Sequence, residues 1–148
     1  MEFTTPILNY SQLAPILIVF AGALIGVLIE AFAPRAARHS SQLFISLFSL
    51  VAAFGALLLV RNESSTDAAM GSVAFDGAGV LLQASILIIA VLAIFLISDQ
   101  ENFTALAAAV PGSEEERTAL QADLRVTEVF PLTLFAVAGM LLFPVSTD

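Results

Sequence analysis

Glu30 is the ionisable side chain of this 148-residue sequence that invites chemistry, because it lies near the end of a long apolar run, LAPILIVFAGALIGVLIEAFA. A carboxylate inside hydrocarbon costs about 2.5–3.5 kcal/mol at a helix centre on insertion scales, and such residues often mark proton or ion paths. Pro34 and Arg35 follow within about a turn, however, and at that depth most of the cost disappears. The plain reading is a headgroup-level residue; the functional one places Glu30 at the mouth of a proton path or against a charge on another subunit. His39 stands beside Arg38 in the segment after this run. One imidazole with no second ligand or carboxylate in the same loop reads as an ordinary loop residue before it reads as a metal or pH-sensing site. Asp76 is explained as a turn residue and as an acceptor for the free N–H groups where a helix begins. No nucleophile with a base, no glycine-rich phosphate loop, no paired carboxylates and no metal spacing are present. No catalytic, cofactor-binding or metal-binding residue is therefore assigned, and Glu30 is carried forward as a proton-path or interface candidate.

The setting for Glu30 follows from composition. The chain is 59% hydrophobic and 12% charged, with a mean hydropathy of +0.97, whereas soluble domains carry roughly 25% charged residues. There is too little polar surface for a water-soluble domain. All five basic residues are arginine and the formal net charge is -8, which excludes a basic nucleic-acid footprint. Without cysteine there is neither a disulfide framework nor a thiolate metal site. The first charge is Glu2, so the opening apolar run lacks the basic start of a signal peptide and reads as a retained span.

A membrane helix needs about 20 mostly apolar residues. Four windows meet or approach that length: Leu13–Ala33, Ser40–Val60, Val80–Ile97 and Val129–Val145. Since a spanning segment must satisfy its own backbone hydrogen bonds, each is expected to be helical. The expected fold is an all-α, multi-pass membrane protein of about four transmembrane helices in a single membrane domain, residues 1–148. Arginines set the orientation, being retained on the cytoplasmic side. Arg35 and Arg38 lie between the first two spans and Arg117 and Arg125 between the last two, against Arg61 alone between the second and third. This predicts an outside N-terminus, with loops 34–39 and 98–127 cytoplasmic.

The connections carry local signals. Gly71–Asp76 alternates as a short extended piece closed by Asp76 and Gly77. In residues 98–127, Pro111 and Gly112 break the chain and Ser113 with Glu116 forms a capping box. Leu120 and Leu124 then lie four apart, away from Arg117, Gln121 and Arg125, as an amphipathic helix would place them. The acidity of this connection favours contact with protein over anionic lipid. Gly22 and Gly26 form a GxxxG pattern that allows close helix packing, and Ala52, Ala53, Gly55 and Gly139 supply further small positions. The sequons at Asn9, Asn62 and Asn102 matter only in a eukaryotic secretory setting.

Three pieces in order resemble a known family. They are GVLIEAFAPR at Gly26–Arg35, GSVAFDGAGVLLQ at Gly71–Gln83 and EVFPLTLFAVAGMLLFPVSTD at Glu128–Asp148. Together they resemble the N-terminal part of the subunit N family, antiporter-like membrane subunits of the bacterial proton-pumping NADH:quinone oxidoreductase, respiratory complex I. VPGSEEERTALQ, Val110–Gln121, looks like an insertion found in some members. The resemblance implies a subunit of about fourteen helices containing inverted repeats, in which a Glu of the fifth span and later lysines move protons. It implies the bacterial plasma membrane as location, and as partners the lipid bilayer and the other membrane-arm subunits, especially the neighbouring antiporter-like one. NADH, FMN, iron–sulfur clusters and quinone would bind elsewhere in that complex. On this reading the chain is an N-terminal fragment, inactive alone, with Asp148 at the turn into a fifth helix. None of the family's principal proton-transfer residues carries over; Glu30 matches an acidic position at the end of the first helix. A cation/proton antiporter subunit of the same fold and a stand-alone four-helix scaffold or assembly protein are the competing expectations.

Overall fold

The structure is a computed structural model that describes residues 10–61, 77–99, 112–114, 117 and 127–146. Four helices organise them: α1 (Tyr10–Phe32), α2 (Arg35–Val60), α3 (Gly77–Ser98) and α4 (Val129–Leu142), the last continued by a 3₁₀ turn at Phe143–Val145. With 23, 26 and 22 residues, α1, α2 and α3 are long and apolar enough to cross a membrane. At 1.5 Å per residue each is about 33–39 Å long, against a hydrocarbon core of about 30 Å. α4 is shorter, with 14 α-helical residues before the 3₁₀ turn that contains Pro144. Its roughly 27 Å just fall short of the core thickness.

The helix boundaries shift the expected spans. Residues 34–39, expected as a loop, are almost wholly helix: only Ala33 and Pro34 separate α1 from α2, which already contains Arg35, Arg38 and His39. Pro34 takes an extended backbone (φ -64°, ψ 143°) at the N-cap, where its missing N–H removes nothing from the helix. Arginine and alanine then continue the helix without strain. α1 begins three residues before Leu13, and α3 begins at Gly77. The alternating segment Gly71–Asp76, the capping role of Asp76, Glu116 of the capping box, the Leu120/Leu124 face with Gln121 and Arg125, Glu2, the three sequon asparagines and Asp148 lie outside the described residues. Gly112 does break the chain, with φ 85°, a conformation natural to glycine. After it the Arg117 N–H donates to the Ser113 carbonyl, four residues back, at 3.2 Å.

The helices run up, down, up and down around one core. α1 packs against α2 and α4, α3 packs against the same two, and α1 and α3 occupy opposite corners. Leu50, Ala53 and Leu57 of α2 meet Val19 and Ala23 of α1, Leu87, Ala90 and Ile94 of α3, and Phe130, Leu134, Val137 and Leu141 of α4 in a single buried cluster. The outer surface is as greasy as this interior: Phe32, Phe44, Leu59, Leu81, Leu92 and Phe143 are all exposed. Such a surface belongs in lipid, where helix association depends on close packing and interhelical hydrogen bonds instead of water exclusion.

The inward faces have the corresponding composition. α1 buries Gln12, Pro15, Val19, Gly22, Ala23 and Gly26, a mostly small set at three- and four-residue spacing. A Cβ on Gly22 would collide with the Ser49 side chain, whose Cβ would be 2.6 Å away. On Gly26 it would lie 3.0 Å from Pro131 Cβ and 3.1 Å from Gln42 Oε1. The GxxxG pattern is therefore the seat of α2 and α4 on α1. Gly55 and Gly139 differ: a Cβ on either meets nothing within 4 Å, so they are not packing positions among the described residues.

Candidate functional site

Glu30 occupies the last turn of α1, with α2 returning beside it after the turn at Ala33–Pro34. This hairpin brings Arg38, eight residues later, within reach: Arg38 Nη1 donates to Glu30 Oε1 at 3.1 Å. Arg38 Nε also donates to the Ala33 carbonyl at 2.8 Å, satisfying one of the open carbonyls at the end of α1. One turn further along α2, Gln42 Nε2 donates to Glu30 Oε2 at 3.2 Å and to the Gly26 carbonyl at 2.8 Å. The remaining donor comes from far along the chain, where Thr127, just before α4, gives its hydroxyl proton to Glu30 Oε2 at 2.7 Å.

Both carboxylate oxygens are thus occupied by donors from α2 and from the threshold of α4. The ion pair is half-buried, with the Glu30 and Arg38 side chains 20% and 28% exposed, while Gln42 is fully enclosed and Thr127 is 4% exposed. A charge-assisted hydrogen bond contributes about 1.5–3 kcal/mol, roughly twice a neutral one, and here water competes less than at a surface. The arrangement works as an anchor: one carboxyl group that gathers three elements at one end of the bundle. By contrast the Arg117–Glu114 pair, 69% and 88% exposed, is solvated and holds nothing distant together.

His39 is on α2, half-buried, with its ring edge-on to Phe130 at 5.7 Å between centroids. It packs against the start of α4, next to the Glu30 cluster. Among the described residues no group of three His, Cys, Asp or Glu side chains is arranged to hold a metal ion. A groove of about 230 Å³ between α2 and α3, lined by Leu50, Val51, Phe54, Leu87, Ile88, Val91 and Leu92, offers hydrocarbon contacts alone.

Sequence reasoning singled out Glu30 but not its partners. In the sequence Arg38 reads as an orientation signal, and Gln42 falls inside an apolar window. Their register was nevertheless readable, since Arg38, Gln42, Ser46 and Ser49 recur at helical spacing along one face. No local signal connects Thr127 to a residue 97 positions away.

No family model matches the chain. Across 99% of its length, however, it is 41% identical to NADH-quinone oxidoreductase subunit N 3 of Streptomyces griseus. It is 45% identical over 97% of its length to NADH-quinone oxidoreductase subunit N of Acidothermus cellulolyticus, and 43% identical over 97% to that of Rhodococcus opacus. The chain is homologous to the N-terminal part of subunit N. It spans 29%, 28% and 31% of the length of these three relatives. The similarity to subunit N covers the whole four-helix unit, including both helices joined by the Glu30–Arg38 pair and the start of α4.

Proposed function

We propose that this chain supplies the first four helices of the N subunit in the proton-translocating membrane arm of a bacterial NADH:quinone oxidoreductase. The observation that carries this reading is near-complete coverage of the chain at 41–45% identity to subunit N relatives. Within that arm its role is structural. Glu30 has its two oxygens occupied by Arg38, Gln42 and Thr127 of the same chain, which supports an anchor in preference to a proton carrier. Redox chemistry and its NADH, FMN, iron–sulfur and quinone cofactors belong to other parts of the assembly. The acyl-like outer surface contacts lipid and the neighbouring antiporter-like subunit in the bacterial plasma membrane. The N-terminus lies outside and the α1–α2 turn faces the cytoplasm, as the arginine distribution favours.

The test is affinity isolation of the chromosomally tagged protein from native membranes, followed by mass spectrometry and NADH:quinone reductase assay. Co-isolation of the other oxidoreductase subunits in active form is expected; recovery without them contradicts the reading. Orientation is separable, because the chain has no native cysteine. Ala37→Cys should react with an impermeant thiol reagent from the cytoplasmic side and Ser146→Cys from the opposite side, and the reverse pattern overturns the topology.

A further inference from the structure

We propose that an ordered water molecule is bound in the α1–α2 seam between Gln42 Oε1 and Ser46 Oγ, one turn inward from the Glu30 carboxylate. Gln42 cannot be turned over to relieve its carbonyl. Both of its amide hydrogens are directed at oxygens, the Gly26 carbonyl at 2.8 Å and Glu30 Oε2 at 3.2 Å. Flipping the amide would set oxygen against oxygen at both contacts. Its Oε1 therefore stays directed into the seam, fully buried and with no donor.

Ser46 is the complementary half. It lies one helical turn further on, is fully buried, and its hydroxyl has no partner. Other hydroxyls in these helices behave differently: Ser49, Ser85 and Thr133 each donate to the carbonyl four residues back, at 2.7, 2.9 and 2.7 Å. Ser46 departs from that habit four residues along α2 from Gln42, whose Oε1 is the unmatched acceptor. Residues a turn apart on one face have Cβ atoms about 5–6 Å apart, a span comparable to two successive hydrogen bonds of about 2.8 Å through one water. The opposing wall is the glycine stretch of α1, with Gly26 against Gln42 and Gly22 against Ser49. Bulk water does not reach this depth in lipid, so neither group can be satisfied by exchange with solvent. A donor and an acceptor that are both enclosed and a turn apart are the setting in which buried water is retained. The inference rests on the seam alone and stands whatever assembly the chain joins.

Water-edited solid-state NMR of the full chain in lipid bilayers tests it, together with a high-resolution density map. Polarisation from water should reach the Ser46 side chain well ahead of Ser49, one turn deeper. Ser46→Ala should abolish the excess transfer at the Gln42 carboxamide. The map should show a peak about 2.7–3.2 Å from both Gln42 Oε1 and Ser46 Oγ. Equal transfer to Ser46 and Ser49, or a Ser46 hydroxyl rotated onto the Gln42 backbone carbonyl with no peak, overturns the proposal. Should Ser46→Ala not fold, the Ser46–Ser49 comparison in the unmodified chain decides by itself.

Discussion

The two ends of this bundle are held together by different physics. At the Glu30 end, five side-chain hydrogen bonds join the end of α1, the first turns of α2 and the threshold of α4. At the other end Gln83 Nε2 reaches the Leu141 carbonyl at 2.8 Å, and Val145 packs against Leu13, Ile16 and Val80. The first end is polar, directional and charged; at the second, the Gln83 amide contact is set in apolar packing around Val145. In lipid this difference counts for more than in water, because apolar contacts between helices replace equally apolar contacts with acyl chains. Register among α1, α2 and α4 is therefore fixed chiefly at the Glu30 end, while α3 is located mainly by shape.

Substitutions can break that contrast, and the largest effect is expected for Glu30→Ala. It removes the carboxylate partner of the Arg38 guanidinium, the Gln42 amide and the Thr127 hydroxyl together, and should lower stability by about 3 kcal/mol, the low end for breaking a buried pair, since this one is partly exposed. Equilibrium unfolding in mixed micelles measures it; a loss below that of any single change at the opposite end would invert the comparison. Gly22→Val comes next, at about 2 kcal/mol, because even its first carbon meets the Ser49 side chain. The same unfolding assay should show α1–α2 separation, and an unchanged midpoint would mean the seam is looser than described.

At the other end Gln83→Leu removes the amide bond to Leu141 but also an Oε1 that has no partner. These terms offset, so the loss should be at most about 1 kcal/mol. A larger loss would show that α3 depends on the amide and not on shape. Gly55→Ala is the smallest change and has the opposite sign: the added methyl enters open space and should stabilise α2 by up to about 1 kcal/mol through helix propensity. Thermal unfolding in detergent reads that gain, and destabilisation would mean that Gly55 has a packing partner in the assembled protein.

Much of the architecture was readable in advance because hydrophobic windows and charge placement are local. The windows at Leu13–Ala33, Ser40–Val60 and Val80–Ile97 each contain most of a long helix. The error at residues 34–39 came from reading charge as loop, whereas Pro34 starts α2 and Arg38 turns back onto α1. Gln42, Ser46 and Ser49 escaped notice because average hydropathy hides a polar stripe inside an apolar helix. Gly55 and Gly139 were given weight by composition, although small residues matter only where another helix approaches. Thr127 was beyond reach of any local pattern, since its role exists only once α4 is folded against α1.

The central claim is that the Glu30 carboxylate holds the threshold of α4 against the α1–α2 hairpin. A double-mutant cycle with Glu30→Gln and Thr127→Val, read by equilibrium unfolding of the full chain, isolates that contact. The account predicts a coupling of about 1 kcal/mol between the two sites, within the usual 0.5–3 kcal/mol for residues in direct contact. Additivity within about 0.3 kcal/mol would contradict it.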